Sequence, residues 1–166
     1  MDLKEALKVA LEMEQKGHKI YKDAAERTAN PHVRETFNYL ADQEIHHITE
    51  IEDYIASESP VQELKGDTQT QVQDFFTTTT QKFKEKTALA EDDVKAYETG
   101  MDLERKGYAF YKQQYEQATG EEAKKFFDFL MHQENAHYEL LEKDYEYLSD
   151  TIGFFGKEEE HMFEGG

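Results

Sequence analysis

Cysteine is absent from the 166 residues, and proline occurs only at positions 31 and 60. The first absence excludes disulfides, iron–sulfur clusters and any thiolate-bound metal from this chain. The second leaves four long segments free to be helical without interruption. Positive charge is scarce: Lys plus Arg number 19 against 37 Asp plus Glu, a formal charge of −18. That balance argues against nucleic acid or an anionic membrane surface as partner. It favours solubility and draws in cations, and its plainest reading is a solvated acidic surface. No apolar run approaches the roughly 20 residues that a membrane helix needs. The N-terminus opens directly on an amphipathic pattern rather than a signal peptide, so a cytoplasmic protein is expected. The length suits one domain with a real core.

The segments that remain read as helices with clear punctuation. Asp2 followed by Glu5 resembles a capping box and opens a helix over 2–29. Asn30 and Pro31 read as N-cap and first position of a second helix, which runs to Ser57. Residues 58–90 break the pattern with Pro60, Gly66 and four consecutive threonines, Thr77 to Thr80, although a short helix fits around 69–86. A third long helix spans 91–119. Gly120 ends it, and Glu121 and Glu122 suit the start of a fourth, ending near Asp150. The expected organisation is a bundle over 1–150, with a crossover at 58–90, and a tail over 151–166.

The chain also repeats itself without a gap at an offset of 90 residues. Glu14 pairs with Glu104, Glu44 with Glu134, His47 with His137, Tyr21 with Tyr111, Gly17 with Gly107 and Gln43 with Gln133. Two similar helix hairpins are implied, with acids and histidines in register. The inward seams support this. Helix one presents Leu3, Leu7, Ala10, Glu14, Gly17, Tyr21, Ala24 and Thr28; helix two presents Val33, Phe37, Leu40, Glu44, His47, Ile51 and Tyr54. Helix three presents Tyr97, Gly100, Glu104, Gly107 and Tyr111; helix four presents Phe127, Leu130, Glu134, His137, Leu141 and Leu148. Steps of three and four are bundle spacing, and the centre of every seam is Glu.

Short loops make each hairpin antiparallel. Glu14 and Glu44 then lie about 22 Å from the first turn, at one level, and Glu104 and Glu134 match by the same arithmetic. A crossover extending roughly 100 Å easily returns along a helix of about 40 Å. Four carboxylates in an apolar centre cannot stay ionised alone, since each buried ion costs several kcal/mol. Two divalent cations balance them while both histidines stay neutral. Oxygen ligands with one imidazole per metal suit iron or manganese, with zinc as an alternative.

Three Glu-x-x-His matches occur, and the third, Glu158/His161, lies in the tail off any seam and is incidental. Tyr21 and Tyr111 sit on the acid seams, either as core aromatics or as hydroxyls that orient a ligand or take part in redox steps. Gly17 and Gly107, one turn after the acids, leave space for an oxidant or for close helix approach. His18, His32, His46 and His132 read as peripheral or solvated. Phe75, Phe76 and Phe83 suggest a cover over the bundle, or contact with a second subunit.

The run Leu-Glu-Met-Glu14-Gln-Lys-Gly-His-Lys-Ile-Tyr21 with Leu-Ala-Asp-Gln-Glu44-Ile-His-His47, echoed by Asp-Leu-Glu104-Arg-Lys-Gly-Tyr-Ala-Phe-Tyr111 and His-Gln-Glu134-Asn-Ala-His137, resembles the rubrerythrin branch of the ferritin-like diiron proteins. The resemblance implies an all-α, ferritin-like antiparallel four-helix bundle with its long crossover between helices two and three. It implies two iron ions held by Glu14, Glu44, His47, Glu104, Glu134 and His137, and a diiron-carboxylate oxidoreductase reducing hydrogen peroxide. Dioxygen is the other candidate oxidant. It also implies an external electron donor such as a rubredoxin, since a cysteine-bearing domain is lacking, and a homodimer. Gly107 stands where such proteins often carry a further carboxylate. Two other readings compete: an iron-oxidising, iron-handling protein, and a structural or interaction bundle around a redox-inert metal.

Overall fold

The computed structural model describes residues 1–57 and 68–149. Five helices follow in order: α1 (Leu3–Arg27), α2 (Pro31–Ser57), α3 (Thr68–Lys82), α4 (Glu91–Gln117) and α5 (Glu121–Ser149). The first ten residues of the expected crossover and the tail with Glu158 and His161 lie outside the described residues.

Local chemistry sets the boundaries. The Asp2 carboxylate accepts from the Glu5 backbone N–H at 2.8 Å, opening α1. Asn30 Oδ1 accepts from the backbone N–H groups of His32 and Val33 at 3.0 and 3.2 Å, with Pro31 as the first helical residue. Asp93 accepts from the Ala90 N–H at 3.0 Å and from the Thr28 hydroxyl at 2.6 Å. It therefore caps α4 while tying that end to the close of α1. α1 and α4 each stop two residues short of expectation, because Thr28 and Ala118 turn extended.

α1 packs along α2 and α4 along α5, the two expected hairpins, and α1 meets α4 across the bundle. α3 is the helical part of the crossover and lies over α5 and α2. The crossover aromatics settle on their own bundle. Phe75 stacks on Tyr39 at 4.2 Å, Phe76 meets Tyr147 edge-on at 6.1 Å, and Phe83 lies 5.7 Å from His32.

The core divides into two apolar clusters, one on each side of a central polar layer. One holds Tyr21, Phe37, Leu40, Tyr97 and Leu141; the other holds Leu7, Ile51, Tyr111, Phe127 and Leu130. Fully burying each large side chain stabilises the fold by about 1.5–3 kcal/mol. The offset of 90 maps most of one cluster onto the other, so the bundle has an internal two-fold relation. Leu3 departs from its expected seam role. It is 42% exposed, because as the first residue of α1 it sits at the rim of the bundle end.

Candidate metal centre

The polar layer consists of Glu14 from α1, Glu44 and His47 from α2, Glu104 from α4, and Glu134 and His137 from α5. None is more than 3% exposed. The structure brings all six sequence-predicted residues together. Glu14, His47 and Glu134 offer ligand atoms within 4.8 Å of one another, and Glu44, Glu104 and His137 do the same. Each group draws on three helices and on both hairpins.

The histidines face the layer through Nδ1. His47 Nδ1 lies 3.6 Å from Glu14 Oε1 and 4.0 Å from Glu44 Oε2; His137 Nδ1 lies 3.5 Å from Glu104 Oε1. The two rings stack 5.4 Å apart. Glu44 Oε2, Glu104 Oε2 and both Nδ1 atoms are buried without a hydrogen-bond partner. Leaving one such atom unsatisfied costs about 1–3 kcal/mol. Four in one layer, all of metal-ligand type and turned toward each other, fit a pair of cations.

The electrostatics describe what happens when protons stand in for metal. Burial raises the Glu44 carboxyl well above its ordinary range, and the Glu14 charge adds to this. Burial and the Glu104 charge do the same to Glu134. For Glu14 burial also acts upward, but hydrogen bonding with Glu44 and the charge of His47 win and hold it low. Burial disfavours the His47 cation, yet Glu14 outweighs it and pushes the imidazole up to about 9. Metal entry must therefore expel protons.

Other side chains hold these groups in place. The Tyr21 hydroxyl donates to Glu104 Oε1 at 2.9 Å and the Tyr111 hydroxyl to Glu14 Oε1 at 2.8 Å. Burial first, then the neighbouring carboxylates, push both phenols well up, so they remain donors. Gln133 Oε1 lies 3.0 Å from His47 Nε2, which leaves Nδ1 for the layer. Sequence reasoning noted Gln133 only as a member of the repeat. The signal for its role is its place beside Glu134, on the flank that α5 turns to α2.

A cavity of about 130 Å³ opens onto the layer between α1 and α4. Gly17 and Gly107 line it with Glu14, Glu44, Glu104 and Glu134, and Lys16 and Lys106 stand at its edge. A Cβ on Gly17 would lie 3.4 Å from Glu44 Cδ, an ordinary contact. On Gly107 it would lie 3.0 Å from Glu134 Oε2, so the carboxylate would have to give way.

Among the peripheral histidines, His46 and His132 are exposed as expected. His18 is half-buried, with Nδ1 3.0 Å from the Ala41 carbonyl. His32 corrects its expectation. It is buried, with Nε2 2.7 Å from Asp144 Oδ1, because the first turn of α2 packs against the second half of α5.

A family model for rubrerythrin matches residues 5–145. The chain therefore belongs to the rubrerythrin family. No curated protein and no solved structure matches it.

Proposed function

We propose that this rubrerythrin-family chain holds two iron ions through Glu14, Glu44, His47, Glu104, Glu134 and His137, and reduces hydrogen peroxide to water with electrons from an external donor. The observation that carries this reading is the pair of buried three-residue groups, in which Glu44 Oε2, Glu104 Oε2 and both histidine Nδ1 atoms lie without a hydrogen-bond partner. Manganese or zinc would suit the same donors. Bound iron would supply the electrons and the Lewis acidity for cleaving the peroxide O–O bond.

The chain's own residues supply everything else. Glu44 belongs to one group and Glu134 to the other, and Glu44 Oε2 also lies 4.0 Å from His47 Nδ1 of the group it does not belong to. Tyr21 and Tyr111 fix Glu104 and Glu14 and keep a phenolic hydrogen beside each. Gln133 fixes the His47 ring. The cavity of about 130 Å³ has room for a small oxidant such as peroxide or dioxygen beside the carboxylates. Apolar clusters on either side exclude bulk water. These residues contain no cysteine and so no rubredoxin-type iron site, which fits a separate donor such as a rubredoxin.

Stopped-flow mixing of the iron-loaded, reduced chain tests the reading. Oxidation by peroxide should outpace oxidation by dioxygen, and added reductant should restore the starting spectrum. Oxidation no faster than with dioxygen, without regeneration, would overturn it. The strongly acidic composition favours iron handling as the second reading. That reading requires more than two irons retained per chain after aerobic loading.

A further inference from the structure

Beyond the metal layer the two halves of the repeat part company. The offset of 90 pairs Tyr21 with Tyr111 and Phe37 with Phe127, but sets Tyr97 against Leu7, Asp144 against Tyr54, Thr36 against Phe126 and His32 against Glu122. At one end of the bundle, and not at its mirror position, a polar cluster replaces apolar packing. Asp144 is fully buried. Its Oδ2 accepts from the Thr36 hydroxyl at 2.8 Å and from the Tyr97 hydroxyl at 2.5 Å, and its Oδ1 lies 2.7 Å from His32 Nε2. Burying a carboxylate is expensive, and in the mirror half Leu7, Tyr54 and Phe126 fill the core while Glu122 stays exposed.

Tyr97 also stands in a line of rings. Tyr21, whose hydroxyl rests on Glu104, lies 5.8 Å from Phe37. Phe37 lies 5.0 Å from Tyr97, and Tyr97 lies 5.9 Å from the half-buried Tyr145. Touching rings thus run from a carboxylate of the metal layer to the protein surface. A buried phenol that loses an electron while keeping its proton would leave a cation in a dry interior, which is costly. A phenol already bonded to a carboxylate sheds the proton as the electron leaves and stays neutral.

We infer that Tyr97 and Asp144 form a one-electron relay that carries oxidising equivalents from the metal centre to the surface at Tyr145. The inference rests on the peroxide chemistry proposed above. When hydroperoxide reacts at a centre short of electrons, Tyr97 gives up one electron through Phe37 and Tyr21. Its O–H bond breaks, an O–H bond forms on Asp144 Oδ2, and a neutral phenoxyl remains. A soluble one-electron reductant such as ascorbate returns the electron by way of Tyr145, and the proton moves back from Asp144. The reductant is oxidised by one electron, the centre is reduced by one, and no proton leaves the pair. The relay spares the ligands and Tyr21 from irreversible oxidation.

Two measurements test this on the full chain. Freeze-quench electron paramagnetic resonance of iron-loaded protein with excess hydrogen peroxide should show a phenoxyl signal. Tyr97→Phe and Asp144→Asn should lose it, whereas Tyr54→Phe, in the mirror position, should keep it. Pulse radiolysis of metal-free protein with azidyl radical removes the dependence on iron. A phenoxyl first formed at the surface should pass to Tyr97 and persist, and both variants should shorten its life. Tyr97→Phe keeps the ring against Phe37, so a folded protein is expected, checked by circular dichroism. Should Asp144→Asn fail to fold, Tyr97→Phe decides alone. Radical signals in Tyr97→Phe that match wild type in both measurements overturn the relay. A centre that peroxide does not oxidise overturns the reaction, while the radiolysis still decides the relay.

Discussion

Tyr111 of the second hairpin donates its hydroxyl to Glu14 of the first at 2.8 Å, deep in the bundle. Its counterpart Tyr21 returns the bond to Glu104 in the opposite direction. Each phenol orients a carboxylate it shares no hairpin with. Removing such an outer partner costs about 10–100-fold in metal affinity. Tyr111→Phe and Tyr21→Phe should each weaken metal binding to that extent while leaving the ring packing in place. Competition with a chelator of known affinity measures it. Unchanged affinity in both variants would remove the phenols from the site.

The metal-free chain should lose stability as pH rises. Glu44 and Glu134 are raised in the folded state, so their contribution is present below the unfolded carboxyl range and fades as pH climbs through the folded values. His47, raised to about 9, contributes fully below its unfolded value of 6.5 and is lost between there and about 9. Glu14 is held low, so its own contribution is lost only in strong acid. Melting temperatures of chelator-stripped protein should therefore fall from pH 6 to 9. Metal affinity should climb over the same interval as the competing protons leave. A melting temperature that rises across that window contradicts the proposed protonation.

Glutamine mimics a protonated glutamate, so Glu44→Gln and Glu134→Gln should separate folding from binding. At pH 8 the metal-free variants should melt at or above the wild-type temperature, because a buried acid is no longer forced to ionise. Bound metal should drop below two ions per chain. Elemental analysis alongside calorimetry reads both quantities. Retention of two tightly bound ions in the double variant would relocate the site.

The two glycines should respond differently to alanine. Mid-helix Gly→Ala gains about 0.5–1 kcal/mol where space allows. Gly17→Ala has that space and should raise the metal-free melting temperature. Gly107→Ala must displace Glu134 and should forfeit the gain and bind metal more weakly. Both should slow oxidation by peroxide, since a methyl intrudes on a cavity of about 130 Å³. Equal behaviour of the two variants would show that Glu134 is free to move.

Much of this was legible in the chain itself. Apolar residues at steps of three and four marked the seams, Asn30–Pro31 marked a turn, and equal distances from each turn put four acids at one level. The match between halves singled out the six residues of the layer. That same method was blind to whatever the halves do not share. His32, Thr36, Tyr97 and Asp144 oppose Glu122, Phe126, Leu7 and Tyr54, so no echo drew attention to them. Tyr97 was placed on its seam and His32 read as solvated, but only tertiary packing joins them with Thr36 around the buried Asp144. Gln133 was visible as a repeated residue, but its bond to His47 depends on how α5 is turned against α2. Leu3 kept the seam spacing yet fell at the first position of α1, where it is 42% exposed.

Each cluster of three ligand-type residues takes two from one hairpin and one from the other, or the reverse. Half of this molecule, made by itself, would carry two acids and an imidazole but no complete cage. It could close one only by clasping a twin. Joining the twins in a single polypeptide makes that encounter independent of dilution and frees each copy to specialise. The ends of the bundle, one with the acid Asp144 enclosed in its packing and one without such a group, record that freedom.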